Sequence, residues 1–156
     1  MRTLEKSRMF SESSSDPHDE WKGWNRLGDP VLHIDLRDWA DVLVLAPLSA
    51  HTLAKLANGL CDDTLSCVVR AWDLGHGSRP AKPILLAPAM NTAMWVHPLT
   101  GRQMKEFREL SPKAIRVVEP QEKMLACGEI GNGALASVNV IVEATRSAVS
   151  EQTKSS

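Results

Sequence analysis

Four places in the 156-residue chain carry side chains able to do chemistry. The first is Pro88-Ala89-Met90-Asn91-Thr92-Ala93-Met94-Trp95, directly after the apolar run Pro83-Ile84-Leu85-Leu86-Ala87. Such a run, ending in Pro and then Asn, reads as a central strand leaving its sheet at the carboxyl edge, where open α/β sheets hold their ligands. Asn91 brings an amide with donors and an acceptor, suited to a carboxylate or a carbonyl, and Met90, Met94 and Trp95 would give it an apolar wall. A turn in which Asn91 caps the next helix while the methionines fill core accounts for the same residues, and on residue types alone is the simpler reading.

The second place is Ala46-Pro47-Leu48-Ser49-Ala50-His51-Thr52, between a predicted strand and a predicted helix. Hydroxyls at Ser49 and Thr52, with free backbone N–H groups at a helix start, suit a phosphate or the polar edge of a flavin; an ordinary capped helix explains them too. His33, beside an apolar helix face, is the third, and a packed or half-exposed imidazole is the plain alternative. Cys127 is the fourth, within Met124-Leu125-Ala126-Cys127-Gly128-Glu129-Ile130-Gly131-Asn132-Gly133-Ala134. Three glycines there mark a flexible loop able to fold over a ligand, and a thiol on it is placed to donate a proton, although loop cysteines without a role are common. Cys61 and Cys67, within or beside a helix, read as core, and His18, His76 and His97 fall in loops without an assigned role.

The elements that must position these groups follow from periodicity and punctuation. Residues 1–18 are rich in Ser, Glu and Lys and read as an irregular or disordered tail. Gly28-Asp29-Pro30 announces a helix over Pro30 to Asp38, with Asp29 as its N-cap, and the spacing puts Leu32, Leu36 and Trp39 on one face. Asp41 to Ala46 is too apolar for a half-exposed strand and reads as a parallel strand covered on both faces. Ser49 caps a helix from Ala50 to Asn58 that Gly59 ends, and Asp62 or Asp63 opens another carrying Leu65, Val68, Val69 and Trp72 toward a core. Gly75 to Lys82 reads as a surface loop. Further helices are expected over Pro98–Leu110 and Val138–Val149, with a strand over Ala114–Val118 between them and a disordered tail over 150–156. Strands alternating with helices imply a doubly wound parallel sheet, here one domain over residues 19–149.

Composition narrows the function classes. A net charge of -1 gives no electrostatic footprint for nucleic acid or an anionic membrane. No apolar run approaches the roughly 20 residues that span a bilayer, and the polar N-terminus has no secretory apolar core, so a cytoplasmic protein is expected. Three cysteines without paired metal spacing fit reduced thiols rather than a disulfide framework or a metal site.

Taken in order, these stretches resemble the flavin-dependent cysteine decarboxylases, and within them the eukaryotic phosphopantothenoylcysteine decarboxylases, including the plant and fungal halotolerance proteins. The resemblance runs from about Asp19 to about Glu143. It rests on the segment Gly28 to Leu36, similar to the family's segment bearing a catalytic histidine, and on Pro47 to Thr52, similar to a P-A-S-A-N-T flavin motif. Pro88 to Trp95 is similar to a P-x-M-N-x-x-M-W substrate motif, and Met124 to Ala134 to a substrate-covering flap with a proton-donating cysteine.

The resemblance implies a flavodoxin-like three-layer α/β/α fold, FMN as cofactor, and decarboxylation of 4′-phosphopantothenoylcysteine to 4′-phosphopantetheine on the route to coenzyme A. It implies catalytic roles for His33 on the thiol side, Asn91 on the carboxylate and Cys127 in the final reduction. Cofactor contacts fall on Ser49, Ala50, His51, Thr52 and Ala89; substrate contacts fall on Asn91, Met94, Lys123, Met124, Leu125 and Ala126. Loss of carbon dioxide needs an electron sink, which oxidation of the substrate thiol by FMN provides before the electrons are returned. The family also implies a trimer, homomeric or mixed with paralogues, whose histidine comes from the neighbouring chain; Trp21, Trp24 and the His33 helix are expected at that interface, because two nearby indoles on a short Gly-containing segment call for burial beyond what a small sheet supplies.

The chain departs from the pattern at Leu48 and His51, and Met124 stands where Arg or Lys is frequent, which leaves Lys123 for the substrate phosphate. Relatives also carry earlier strands and a Gly-rich G-x-T-G-S turn that Met1 to His18 does not match. The expectation is therefore a sheet incomplete on its N-terminal side, with an unpaired edge. A truncated isoform or gene model, a fragment, or a degenerate subunit would each explain that. The alternative function is a noncatalytic or regulatory subunit of the halotolerance type, including inhibition of a protein phosphatase.

Overall fold

The computed structural model describes residues 26–124 and 130–155. Its centre is β2, Ile84–Pro88, in which every residue is buried, as a run of uninterrupted aliphatics requires when both faces are covered. β1, Leu43–Leu48, and β3, Ile115–Val117, flank it in parallel in the order β1-β2-β3. Leu43 pairs with Ile84 and Leu45 with Leu86, while Ile84 pairs with Ile115. Among the described residues β1 has β2 as its one strand neighbour.

Strand side chains alternate between two cores, as the pleat dictates. Leu45, Ile84, Leu86 and Ile115 face one side and pack with Leu53 and Leu56 of α2 (Ala50–Ala57), Val68 and Val69 of α3 (Thr64–Ala71), and Met104 and Phe107 of α5 (Pro98–Glu109). Leu85 and Ala87 face the other and meet Ile141, Ala144 and Ala148 of α6 (Val138–Ser155). The result is three layers. α1 (Leu32–Trp39) lies on the first side against α3 and carries Leu36 to that core, and α4 (Thr92–Trp95) is a single turn after β2. Two antiparallel strands, β4 (Gln121–Met124) and β5 (Ile130–Ala134), form a separate ribbon.

Helix starts follow their caps. Ser49 accepts a hydrogen bond from the Thr52 N–H, and Asp63 forms a capping box with Ser66. Gly59 takes φ +70° just after α2, a conformation other residues resist. Asp29 is not a cap: its carboxylate accepts from the Arg26 N–H and Nε, Gly28 turns there at φ +100°, and α1 begins only at Leu32 with no side-chain cap.

Several expected core residues lie elsewhere. Trp39 is half exposed because it is the last residue of α1, where the chain turns away. Leu65 is 38% exposed, off the stripe that buries Ser66, Val68 and Val69. Cys61 is exposed in the turn between α2 and α3, and Cys67, within α3, is half-buried. α6 continues past Val149 to Ser155, where a disordered tail was expected; Glu151 on that extension accepts two hydrogen bonds from the Arg116 guanidinium, at 3.1 and 2.7 Å.

The amino edge of the sheet is tied by charge. Lys82 donates to the carbonyls of Arg37 and Ala40 at the end of α1, at 2.7 and 2.9 Å, and stacks over Trp72 with Nζ 5.4 Å from the ring centre. A cation at a helix C-terminus meets the negative end of the helix dipole. Asp73 receives Arg37, Arg79 and Lys82 at 3.6 to 3.8 Å, and Asp38 receives Arg37 and Arg79. The hydrogen bond from Arg79 holds the Asp38 carboxyl below the ordinary carboxylate range. This network fastens the loop from Gly75 to Lys82 to the end of α1.

Candidate functional site

The carboxyl ends of β1 and β2 meet at Leu48 and Pro88, and the Ala89 N–H donates to the Leu48 carbonyl at 3.0 Å. Two loops are thereby held side by side: the Ser49 start of α2 and the Met90–Asn91 turn. Neither position depends on side-chain packing alone. Both follow from parallel strands that end at the same edge, with a register shift in β1 between Leu45 and Leu48 that brings Leu48 opposite Pro88.

At the α2 start, Ser49 is exposed, its Oγ accepting from the Thr52 N–H at 3.1 Å and lying 3.0 Å from Thr52 Oγ1. The Leu53 N–H reaches the Ser49 carbonyl. Of the first-turn donors, the N–H groups of Ala50 and His51 therefore have no acceptor within the helix, and they open to the same edge as the hydroxyls.

Asn91 is exposed and caps α4: its Oδ1 accepts from the Ala93 N–H at 2.8 Å, while its carbonyl accepts from Trp95 N–H. The cap fixes the side chain so that the oxygen end is occupied and the NH2 end remains as a donor. Met94 beside it is 54% exposed and Trp95 is half-buried. The simple reading of Asn91 as a cap is thus what the structure shows, and the cap leaves the amide NH2 outside that bond.

The ribbon approaches from a third side. The Met90 N–H donates to the Gly133 carbonyl at 2.9 Å, and β5 packs on α4. Gly133 has no positive φ; what it contributes is the missing side chain, because a Cβ there would lie 2.1 Å from the Met90 carbonyl oxygen. Loop flexibility is what the glycines of this region suggest from sequence alone. Gly131 and Gly133 instead lie in β5, with Gly131 paired to Lys123. A glycine inside a strand is the signal that could have revealed the close approach.

Ser49, Ala50, His51, Thr52, Ala89, Asn91 and Met94 are thus gathered at one edge. His33 lies in the first turn of α1, at the end remote from its junction with β1, on a helix that packs against α3. Lys123 and Met124 lie in β4. Leu125, Ala126 and Cys127, together with Trp21 and Trp24, lie outside the described residues. Among the described residues there is no group of three His, Cys, Asp or Glu able to hold a metal ion, and no helix is long and apolar enough to cross a membrane.

Comparison with known proteins gives a consistent result. Residues 2–150 match the family described as Flavoprotein. A phosphopantothenoylcysteine decarboxylase of Arabidopsis thaliana is 53% identical over 128 residues, which are 82% of this chain and 57% of that protein. Two solved structures align with TM-scores of 0.72 and 0.70. The first, a mutant PPC decarboxylase complexed with pantothenoylaminoethenethiol, is 51% identical, with 84% of this chain and 67% of that one covered. The second, the FMN binding protein AtHal3, is 52% identical, with coverage of 84% and 66%. The fold is accordingly flavodoxin-like, and the chain spans somewhat over half the length of the curated relative it matches.

Proposed function

The chain belongs to the Flavoprotein family, and from that premise we propose that it binds FMN and acts in the decarboxylation of 4′-phosphopantothenoylcysteine to 4′-phosphopantetheine, a carboxy-lyase step of coenzyme A biosynthesis. The single observation that carries this is the pairing of Ala89 N–H with the Leu48 carbonyl, which sets the Ser49 helix start beside Asn91. A cofactor loop and a substrate loop then share one edge.

The donor set fits the cofactor. The Ala50 and His51 N–H groups with the exposed Ser49 hydroxyl form a cluster of donors suited to the carbonyls or phosphate of FMN, and no acidic side chain lies within that segment. When bound, FMN supplies the two-electron sink that loss of carbon dioxide from a cysteine requires.

The chain's own residues do the rest. Asn91, its oxygen end held by the Ala93 N–H, turns its NH2 toward the substrate carboxylate and orients the bond to be broken. Met94 and Trp95 form an apolar wall beside that carboxylate, and its desolvation favours departure of neutral carbon dioxide as the negative charge passes to the thiol-derived end of the substrate. His33 takes the substrate thiol proton, and Cys127 donates the proton that completes the product. Lys123 serves the substrate phosphate, with Met124, Leu125 and Ala126 covering the ligand. The working form is a trimer, of this chain alone or mixed with paralogues, with His33 reaching a neighbour's site, in the cytoplasm. Exposed Met94, Val96 and Leu99 around Asn91 support such an assembly, because clustered surface apolar groups call for a covering partner.

Titration of FMN fluorescence with the purified chain tests the reading. Saturable quenching, weakened in Ser49→Ala, is the expected result; FMN fluorescence unchanged by excess protein would overturn it. Light scattering checks assembly: a stable monomer with full flavin occupancy would contradict the trimer.

A further inference from the structure

We infer that Gly133 is a positioning residue for Asn91: by lacking a side chain it lets β5 seat directly on the Met90 peptide and so sets where the Asn91 amide stands. The inference rests on the reading that Asn91 receives the substrate carboxylate.

The argument is steric and local. Gly133 is buried and lies in a strand with no left-handed φ, so its own φ does not demand glycine. What alanine does not suit is its neighbour. The added Cβ would stand 2.1 Å from the Met90 carbonyl oxygen and 3.2 Å from the carbonyl carbon, where real Cβ contacts essentially never fall below 3.0 Å. The obstacle is backbone, which has no rotamer by which to move aside.

About 1 Å of displacement must therefore be taken by the Met90–Asn91 peptide or by β5. Either movement strains the Met90 N–H bond to the Gly133 carbonyl, 2.9 Å in length, and Asn91 is the next residue along the chain. The downstream side is equally constrained, since Asn91 Oδ1 is bonded to Ala93 N–H and Thr100 Oγ1 donates to the Met94 carbonyl at 2.6 Å. The amide is thus held between the ribbon and α4. A misplacement of 1 Å at such a group costs on the order of 10²-fold in rate.

Gly133→Ala is compared with Gly77→Ala, a surface-loop glycine whose added Cβ meets nothing within 4 Å. Two readouts are taken on the full chain supplied with FMN. Hydrogen exchange needs no substrate: the Met90 amide should exchange about 10-fold faster or more in Gly133→Ala and unchanged in Gly77→Ala. Steady-state kinetics adds specificity: kcat/KM for 4′-phosphopantothenoylcysteine should fall by about 100-fold, while the inhibition constant of 4′-phosphopantetheine, which has no carboxylate, stays within about 2-fold.

Equal losses for substrate and product would make Gly133 a residue of the fold alone and overturn the inference, as would a Met90 amide as slow as in the parent. A parent chain without turnover would sink the decarboxylase reading instead, and the exchange result would then decide the Gly133–Met90 coupling alone.

Discussion

The two edges of the sheet use polar groups in opposite ways. At the amino edge, Lys82, Arg37, Arg79, Asp38 and Asp73 pair with one another and with the end of α1, so side-chain charge goes into holding structure, although Arg37 Nε and Asp73 Oδ2 are buried without a hydrogen bond. At the carboxyl edge the fastening is done by backbone: Ala89 N–H to Leu48, Met90 N–H to Gly133. The side chains there are left with unfilled capacity, at the Asn91 NH2 and the exposed His51. A region fastened by its main chain can keep its side chains for a ligand. The edge rich in charge is the one fastened by side chains, and the edge poor in charge is the one proposed to take the ligands.

That division makes opposite demands on mutants. Asn91→Ala should have the largest effect, lowering kcat/KM for 4′-phosphopantothenoylcysteine by about 100-fold or more, as removal of a well-aimed donor does. Its thermal stability should fall by only about 1 kcal/mol, the worth of a lost cap. A loss confined to stability would break the comparison.

Lys82→Met should do the reverse. It keeps the stem over Trp72 but leaves the Arg37 and Ala40 carbonyls without their donor, at a cost of about 1–3 kcal/mol. Urea melts should show this while kcat/KM of the folded protein is unchanged; a comparable fall in activity would mean that the amino edge is coupled to the site.

Asp63→Ala removes the α3 capping box and its partner contact with Lys55 at 2.9 Å, and should cost about 1 kcal/mol by the same melts with no change in FMN affinity. An unchanged midpoint would contradict the assignment of that cap.

Acid sharpens the comparison with a smaller effect. Asp38 is held below its ordinary value of 3.8 by the Arg79 hydrogen bond. Burial raises Asp63, but the hydrogen bonds from Lys55 and Ser66 outweigh it and lower the net value. A carboxyl with a depressed folded pKa contributes stability that is present above its unfolded pKa and lost as pH falls through the folded one. Thermal midpoints should therefore fall as pH drops below about 4, less steeply in Asp38→Asn. Identical slopes in parent and variant would remove Asp38 from the account.

Much of the carboxyl edge was legible because its signals are local. Apolar runs ending at Pro47 and Pro88 announce strand ends, and Ser49 and Asn91 are cap residues that the fold uses as caps. The amino-edge network was invisible: Lys82 reaches Arg37 across the fold, and no local pattern encodes which charges will meet. Gly133 was misread for the same reason, since its constraint comes from Met90, far away in sequence. Asp29 failed as a cap because Arg26 competes for its carboxylate, a choice that composition does not reveal.

The central claim, that this chain decarboxylates 4′-phosphopantothenoylcysteine with Cys127 as the final proton donor, is tested most directly by mass spectrometry of the products formed by the parent and by Cys127→Ser, each supplied with FMN. The account predicts carbon dioxide and 4′-phosphopantetheine from the parent. From the serine variant it predicts carbon dioxide with a decarboxylated product two hydrogens short, because a hydroxyl is too weak an acid to replace the thiol. Unchanged substrate with the parent chain, or normal 4′-phosphopantetheine from the serine variant, would contradict it.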